Sequence, residues 1–125
     1  MAADEPRKRC LLGRDMRLKQ ARDFARVRRD GRRLACGPFI ANWRVLPPGS
    51  PTRLGVITAK KLGNAVVRAR ARRLLREVFR LHQHDLAKPV DLVLVAQRTM
   101  VDKDLAAVEE CYVGMLRKTG LMKTE

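Results

Sequence analysis

Residues 90–97, VDLVLVAQ, form an almost unbroken apolar run in a chain that carries 28 Lys and Arg against 13 Asp and Glu. A half-exposed strand would alternate apolar and polar residues, whereas a run like this suits a strand covered on both faces. The fold must supply that cover, which places residues 90–97 near the middle of a sheet. With 125 residues the chain has material for one domain and a modest core.

Two further segments have strand character. PFIANWRVL, residues 38–46, is rich in aromatic and branched side chains and stops at PPGSP, whose prolines lack the N–H that a sheet ladder uses. RLGVITAK, residues 53–60, is the second, and with only a turn-rich loop between them antiparallel pairing is the economical arrangement. Three segments have a helical period. LKQARDFARVRRDG sets Leu18, Ala21, Phe24, Ala25 and Arg28 along one side, and Gly31 closes the helix as a left-handed terminator. From Ala65 to His82, Val67, Ala71, Leu74, Val78 and Leu81 recur on one face with Leu75 at its margin. From Val101 to Lys118, Leu105, Val108, Tyr112 and Met115 share a face, and Asp102 is the N-cap candidate. The order helix, strand, strand, helix, strand, helix defines an α+β fold, a two-layer sandwich on a small mixed sheet. Residues 1–16 are expected to form a mobile basic tail, 17–119 the folded domain and 120–125 a C-terminal tail.

The net charge of +15 is large enough for self-repulsion to weaken the compact state unless a polyanion neutralises it. Its distribution is uneven. Arg7 to Arg80 holds 22 basic and 4 acidic residues, a net of +18, while Leu81 to Glu125 holds 6 and 7, a net of −1. A nucleic acid meeting the first two thirds of the chain is the default partner. No segment approaches the roughly 20 apolar residues of a membrane span, and MAADEPRKRC lacks the apolar core of a signal peptide, so a cytoplasmic protein without a membrane partner is expected. Cys10, Cys36 and Cys111 follow no disulfide or zinc spacing and read as reduced thiols. His82 and His84, two residues apart on a helix, diverge by about 200° and are read as exposed side chains rather than a metal pair.

Charge is densest in KKLGNAVVRARARRLLREVFR, residues 60–80, where eight Lys and Arg face a single acid, Glu77. Arg68, Arg72, Arg76 and Arg80 recur every four positions, which on a helix spaces cations about 6 Å apart, close to the separation of successive phosphates. The planar fork of arginine holds a phosphate through two N–H bonds and stacks on an exposed base. In KKLGN, Gly63 is available for a positive φ and Asn64 for an N-cap, so free N–H groups beside Lys60 and Lys61 make a phosphate-binding corner. It is not a nucleoside-triphosphate loop, because GxxxxGK[ST] is absent. No Ser-His-Asp or Cys-His arrangement is suggested, and the acids do not cluster as two-metal nucleases require, so no catalytic centre is expected in the polypeptide. Phe24 and Phe39 suit either the core or stacking on a single-stranded base. A structural RNA-binding protein of the ribosome shares these features. A DNA-binding regulator fits less well, since the basic helix follows a strand and loop rather than another helix.

The segment KKLGNAVVRARARRLLREVFR resembles the protein component of bacterial ribonuclease P, whose hallmark is a strand followed by KK.GNAV.RNR.KR..RE.FR on a helix. RLKQARDFARV, PTRLGVITAKK and VDLVLVAQR resemble further segments of the same family in the same order, so the likeness covers most of the chain. The resemblance implies a left-handed β-α-β crossover, against the general preference. It also implies a partner RNA subunit that performs Mg²⁺-dependent hydrolysis at the 5′ end of mature tRNA, with magnesium held mainly by RNA and no small-molecule cofactor. The protein would bind that catalytic RNA through Lys60, Lys61, Gly63, Asn64, Arg68, Arg70, Arg72, Arg73 and Arg76, and the 5′ leader of precursor tRNA in a cleft of Phe24, Arg28, Phe39, Asn42 and Trp43. The chain departs from the family pattern at Ala69, where the family has asparagine, at Arg28, where it often repeats an aromatic, and at Asn42, where a tyrosine is expected.

Overall fold

The computed structural model of the chain describes residues 17, 18 and 21–123; the expected N-terminal tail over 1–16 lies outside the described residues. Helix α1 (Ala21–Asp30) leads into strands β1 (Arg32–Ala35), β2 (Phe39–Val45) and β3 (Arg53–Ile57), then α2 (Ala65–His82), β4 (Val90–Ala96) and α3 (Leu105–Thr119). Short 3₁₀ turns occupy Lys60–Leu62, Gln83–Asp85 and Arg98–Met100. The α+β class and the mixed sheet are as the sequence predicts.

The strands run β1-β2-β4-β3, with β4 antiparallel to β2 and parallel to β3. This corrects the expected hairpin between residues 38–46 and 53–60. Apolar β4 gains burial on both faces only as an interior strand, so it inserts between the two, and α2 becomes the crossover that a parallel β3–β4 pair needs. Strand β1 has no counterpart in the sequence reading. Its four residues, two of them Arg32 and Arg33, are too few and too polar to show a period, and β2 holds it through a hairpin whose Gly37 adopts φ 86°.

The main core lies between one sheet face and helices α2 and α3, around Phe39, Leu75, Phe79, Leu92, Leu94 and Tyr112. On the opposite face Leu18, Val27 and Val93 form a smaller cluster under α1, joined by Phe24, Ile57 and Val95. Strand β4 thus sends Leu92 and Leu94 one way and Val93 the other, with all three buried. The α2 core face is Ala71, Leu75, Val78 and Phe79; Leu75 is central rather than marginal, and Leu81 is exposed.

Three termini differ from the sequence reading. Gly31 has no positive φ; a Cβ there would sit 2.2 Å from the Trp43 carbonyl oxygen, so the glycine admits a close approach of backbones. The N-cap of α3 is Asp104, accepting from the Ala107 N–H at 2.9 Å, not Asp102. Residues 120–123 are no loose tail: Gly120 closes α3 at φ 77°, Leu121 is buried, and the Lys123 N–H donates to the Asp85 carbonyl at 2.7 Å.

Candidate nucleic-acid interface

Strand alternation decides what faces the α1 side of the sheet. Phe39, Ala41 and Trp43 point into the main core, and Ile40 and Asn42 point the other way. Neighbouring strands extend the second set: Arg33 pairs with Asn42, and Asn42 with Val93. The β3 neighbour of Val93 is Gly55, on which Phe24 lies so closely that a Cβ would fall 2.4 Å from its ring. The result is a cleft of about 460 Å³ between α1 and the sheet, with Phe24, Ile40, Ile57, Val93 and Val95 as its apolar lining and Arg28, Arg33 and Asn42 as its polar groups. Of the residues expected in a leader cleft, Phe24, Arg28 and Asn42 are brought together here. Phe39 and Trp43 do not belong to it: Phe39 is fully buried and stacks obliquely on Tyr112, ring centroids 6.3 Å apart, on the far side of the sheet. Phe39, Asn42 and Trp43 have mixed parity, so no flat strand can show all three to one ligand. The residues that sequence reasoning misses are Ile40 and Arg33, and two-residue counting from Asn42 finds Ile40.

At the amino-ends of β3 and β4, beside the carboxyl end of β2, the same face carries a row of charge. Asp91 on β4 is almost wholly buried and accepts from Arg53 Nε and Nη2 at 2.9 and 3.0 Å, with Arg44 at 3.8 Å on its other side. The register lines up Arg44, Asp91 and Arg53 across β2, β4 and β3. The hydrogen bonds to Asp91 raise the Arg53 pKa further.

The carboxyl end of β3 leads through the Lys60–Leu62 turn to the start of α2. Asn64 caps the helix, its Oδ1 accepting from the Val67 N–H at 3.0 Å, as expected. Gly63, at φ 156° and ψ −167°, occupies a region essentially reserved for glycine, and a Cβ would meet Val67 at 2.8 Å. Lys60 and Lys61 are exposed on the turn before it.

Arginines of α2 divide by direction. Arg68 donates to the Gly63 carbonyl at 3.2 Å and Arg72 to Thr58 Oγ1 at 2.9 Å, each keeping further N–H donors for a ligand. Arg76 lies close enough to Arg17 and Arg72 that burial first, then these like charges, lower its pKa. A phosphate among the three would relieve that repulsion. Arg73 is exposed with no side-chain partner among the described residues. Arg80 is engaged with Glu77 at 2.9 Å. Arg70 corrects the sequence reading: it lies about 200° around the helix from Arg68, and donates to the carbonyls of Val101 and Lys103 at 3.1 and 2.6 Å. Its guanidinium anchors the loop before α3 instead of facing the arginine row.

His82 is likewise not a free surface group. Nδ1 lies 2.8 Å from Asp85 and Nε2 2.7 Å from Glu109, while the ring rests 6.1 Å from that of Tyr112. Carboxylates at opposite ends of one ring cannot share an ion, and among the described residues no group of three or more His, Cys, Asp or Glu is placed to hold a metal. No described helix is long and apolar enough to cross a membrane.

The arrangement is an apolar-floored, arginine-walled cleft set beside a cationic helix edge. The family model for Ribonuclease P matches residues 12–120. The chain is 32% identical over 111 residues to the ribonuclease P protein component of Syntrophomonas wolfei, covering 89% of this chain and 92% of that one. With that of Desulfovibrio desulfuricans it shares 39% over 94 residues, 73% and 71% of the two chains. Among solved structures, the RNase P protein of Staphylococcus aureus superposes with a TM-score of 0.77 at 26% identity, covering 86% and 98% of the two chains. That of Thermotoga maritima gives 0.72 at 26%, covering 82% and 96%.

Proposed function

The chain belongs to the ribonuclease P protein family, the protein component of the ribonucleoprotein that cleaves tRNA precursors, and from that premise we propose how its two surfaces divide the work. Its RNA partner is implied by membership; which surface meets which RNA is the present reading. The helix edge and its corner, Lys60, Lys61, Gly63, Asn64, Arg68, Arg72, Arg73 and Arg76, hold the catalytic RNA subunit. The cleft of Phe24, Arg28, Arg33, Ile40 and Asn42 holds the 5′ leader of precursor tRNA, one base stacking on Phe24 over the apolar floor and the arginines taking adjacent phosphates.

The observation that carries this reading is the half-buried Phe24 ring, seated on Gly55 at one wall of a cleft that lacks a side chain to fill it. Among the described residues the acids are dispersed or already paired with cations, so hydrolysis and its magnesium are assigned to the RNA, and magnesium has no protein ligands in this proposal. The protein contributes by binding the leader and by screening phosphate repulsion between two RNAs. The setting is cytoplasmic, and no small-molecule cofactor takes part.

Binding of reconstituted holoenzyme to leader-bearing and to mature tRNA tests the assignment. Phe24→Ala should cut the preference for the leader-bearing form about tenfold while affinity for mature tRNA and the melting curve stay near wild type. An unchanged preference in a folded variant would remove the leader from this cleft.

A further inference from the structure

The end of the sheet opposite the α2 corner holds a hollow of about 480 Å³ that belongs to neither surface described above. Arg32 at the start of β1, Arg44 near the end of β2 and Lys88 just before β4 bring three cations to it, and Thr119 and Gly120 close it at the end of α3. The seven residues of β4 separate it from Lys61 by about 20 Å. Arg32 and Lys88 are exposed with no side-chain partner among the described residues. Arg44 approaches Asp91, but that carboxylate is already gripped by two nitrogens of Arg53. The acid of the lining, Asp30, accepts from Arg29 at 3.0 and 3.3 Å. Helices α1 and α3 both end here, each adding about half a unit of negative charge, so three cations leave the hollow positive by about two units.

Chemistry narrows the occupant. Trp43 is the aromatic residue of the lining, and it is 6% exposed and turned into the main core. No ring is offered here to an unpaired base as Phe24 offers one in the cleft. Cations without a stacking surface suit the phosphates of a base-paired helix, which displays its backbone and hides its bases. Positive charge continues past the rim, because the C-terminal third is polarised along its length. Residues 101–110 carry one basic and four acidic side chains, and residues 111–123 carry three basic and no acidic ones. Self-repulsion acts whenever the chain is folded. A cation cluster this far from the cleft therefore calls for a polyanion that stays with the protein, not one that comes and goes with each substrate. We propose that this hollow grips a paired segment of the catalytic RNA, with Arg32 and Lys88 on its phosphates, as a second anchor separate from α2. The proposal rests on the reading of that RNA as the resident partner.

Backbone footprinting of the catalytic RNA in complex with the full-length protein provides the test. Wild type should protect two separate RNA segments. Arg32→Ala combined with Lys88→Ala should expose one of them, weaken RNA binding about tenfold and flatten its salt dependence by about two units of slope. The melting curve and the affinity for a single-stranded leader oligonucleotide should not move, and Arg32→Lys with Lys88→Arg should restore the protection. Arg68→Ala with Arg72→Ala should expose the other segment, and the losses of the two double variants should add. If the Arg32 and Lys88 variant instead weakens the leader oligonucleotide, the hollow is an extension of the cleft and the proposal fails. It also fails if only the affinity of reconstituted holoenzyme for mature tRNA falls, if no affinity changes, or if both double variants expose the same segment. Failure of the α2 assignment has a different signature: RNA binding would survive Arg68→Ala with Arg72→Ala while the Arg32 and Lys88 variant still lost its own segment.

Discussion

Asp91 shows how one residue can matter more than its neighbours' charges imply. It is 2% exposed, and Arg53, which grips it with two nitrogens, keeps 30% of its side chain in solvent. Arg53→Ala strands a buried carboxylate with only Arg44 at 3.8 Å, and should cost about 3 kcal/mol. Asp91→Asn leaves arginines that rehydrate, so its cost should be nearer about 1 kcal/mol. Urea unfolding of the two variants checks the ranking, and the reverse order would mean that water reaches Asp91. A lone acid in an apolar strand is visible in VDLVLVAQ, but its partners, 38 positions away at Arg53 and on β2 at Arg44, depend on register and are not. Phe24 is legible as a residue of double character, and Gly31 as a glycine with a role. That role, admitting the Trp43 carbonyl, is a contact between segments no local rule describes.

Among elements, His82 at the end of α2 ties that helix to Glu109, in the second turn of α3. Burial pulls its pKa down, but hydrogen bonds to Asp85 and Glu109 outweigh burial and raise it above the ordinary histidine value. A group whose folded pKa is raised stabilises fully below its unfolded pKa, about 6.5, and loses that contribution as pH climbs through the folded value. The melting temperature should therefore fall on that alkaline excursion, and His82→Gln should flatten the trend while lowering stability at pH about 6. A wild-type curve rising over the same interval would contradict the pairing. Helix α2 is the most legible element, since period, cap and glycine all agree from Asn64 to His82. Its facing is one position off in the sequence reading because Leu74 and Leu75 are adjacent and both stand at helical spacing from Val78, so the pattern admits two neighbouring stripes. Only the sheet selects the one through Leu75 and Phe79. Strand β4 is placed correctly by its apolarity, whereas the expected pairing of β2 with β3 fails because proximity along the chain says nothing about a later strand inserting between them.

At the scale of the whole molecule the charge is a directed field rather than a uniform coat. If about four arginines of α2 meet phosphates, affinity for single-stranded RNA should fall against log[salt] with a slope of roughly −3. Arg68→Ala with Arg72→Ala should flatten that slope by more than about one unit, and Arg70→Ala, whose guanidinium is spent on carbonyls, should leave it nearly unchanged. Equal flattening by all three would put Arg70 back on the RNA-facing side. The central place of β4 has a further consequence in time. Strands β2 and β3 each pair with β4 and not with each other, so a growing polypeptide cannot close its sheet until residue 96 has been added. At ordinary synthesis speeds the interval after residue 57 lasts roughly 2–8 s, during which the arginine-rich segment exists without a scaffold while surrounded by the ribosome's own RNA. Maturation of this protein is therefore a race between finishing one late strand and premature capture by the wrong transcript.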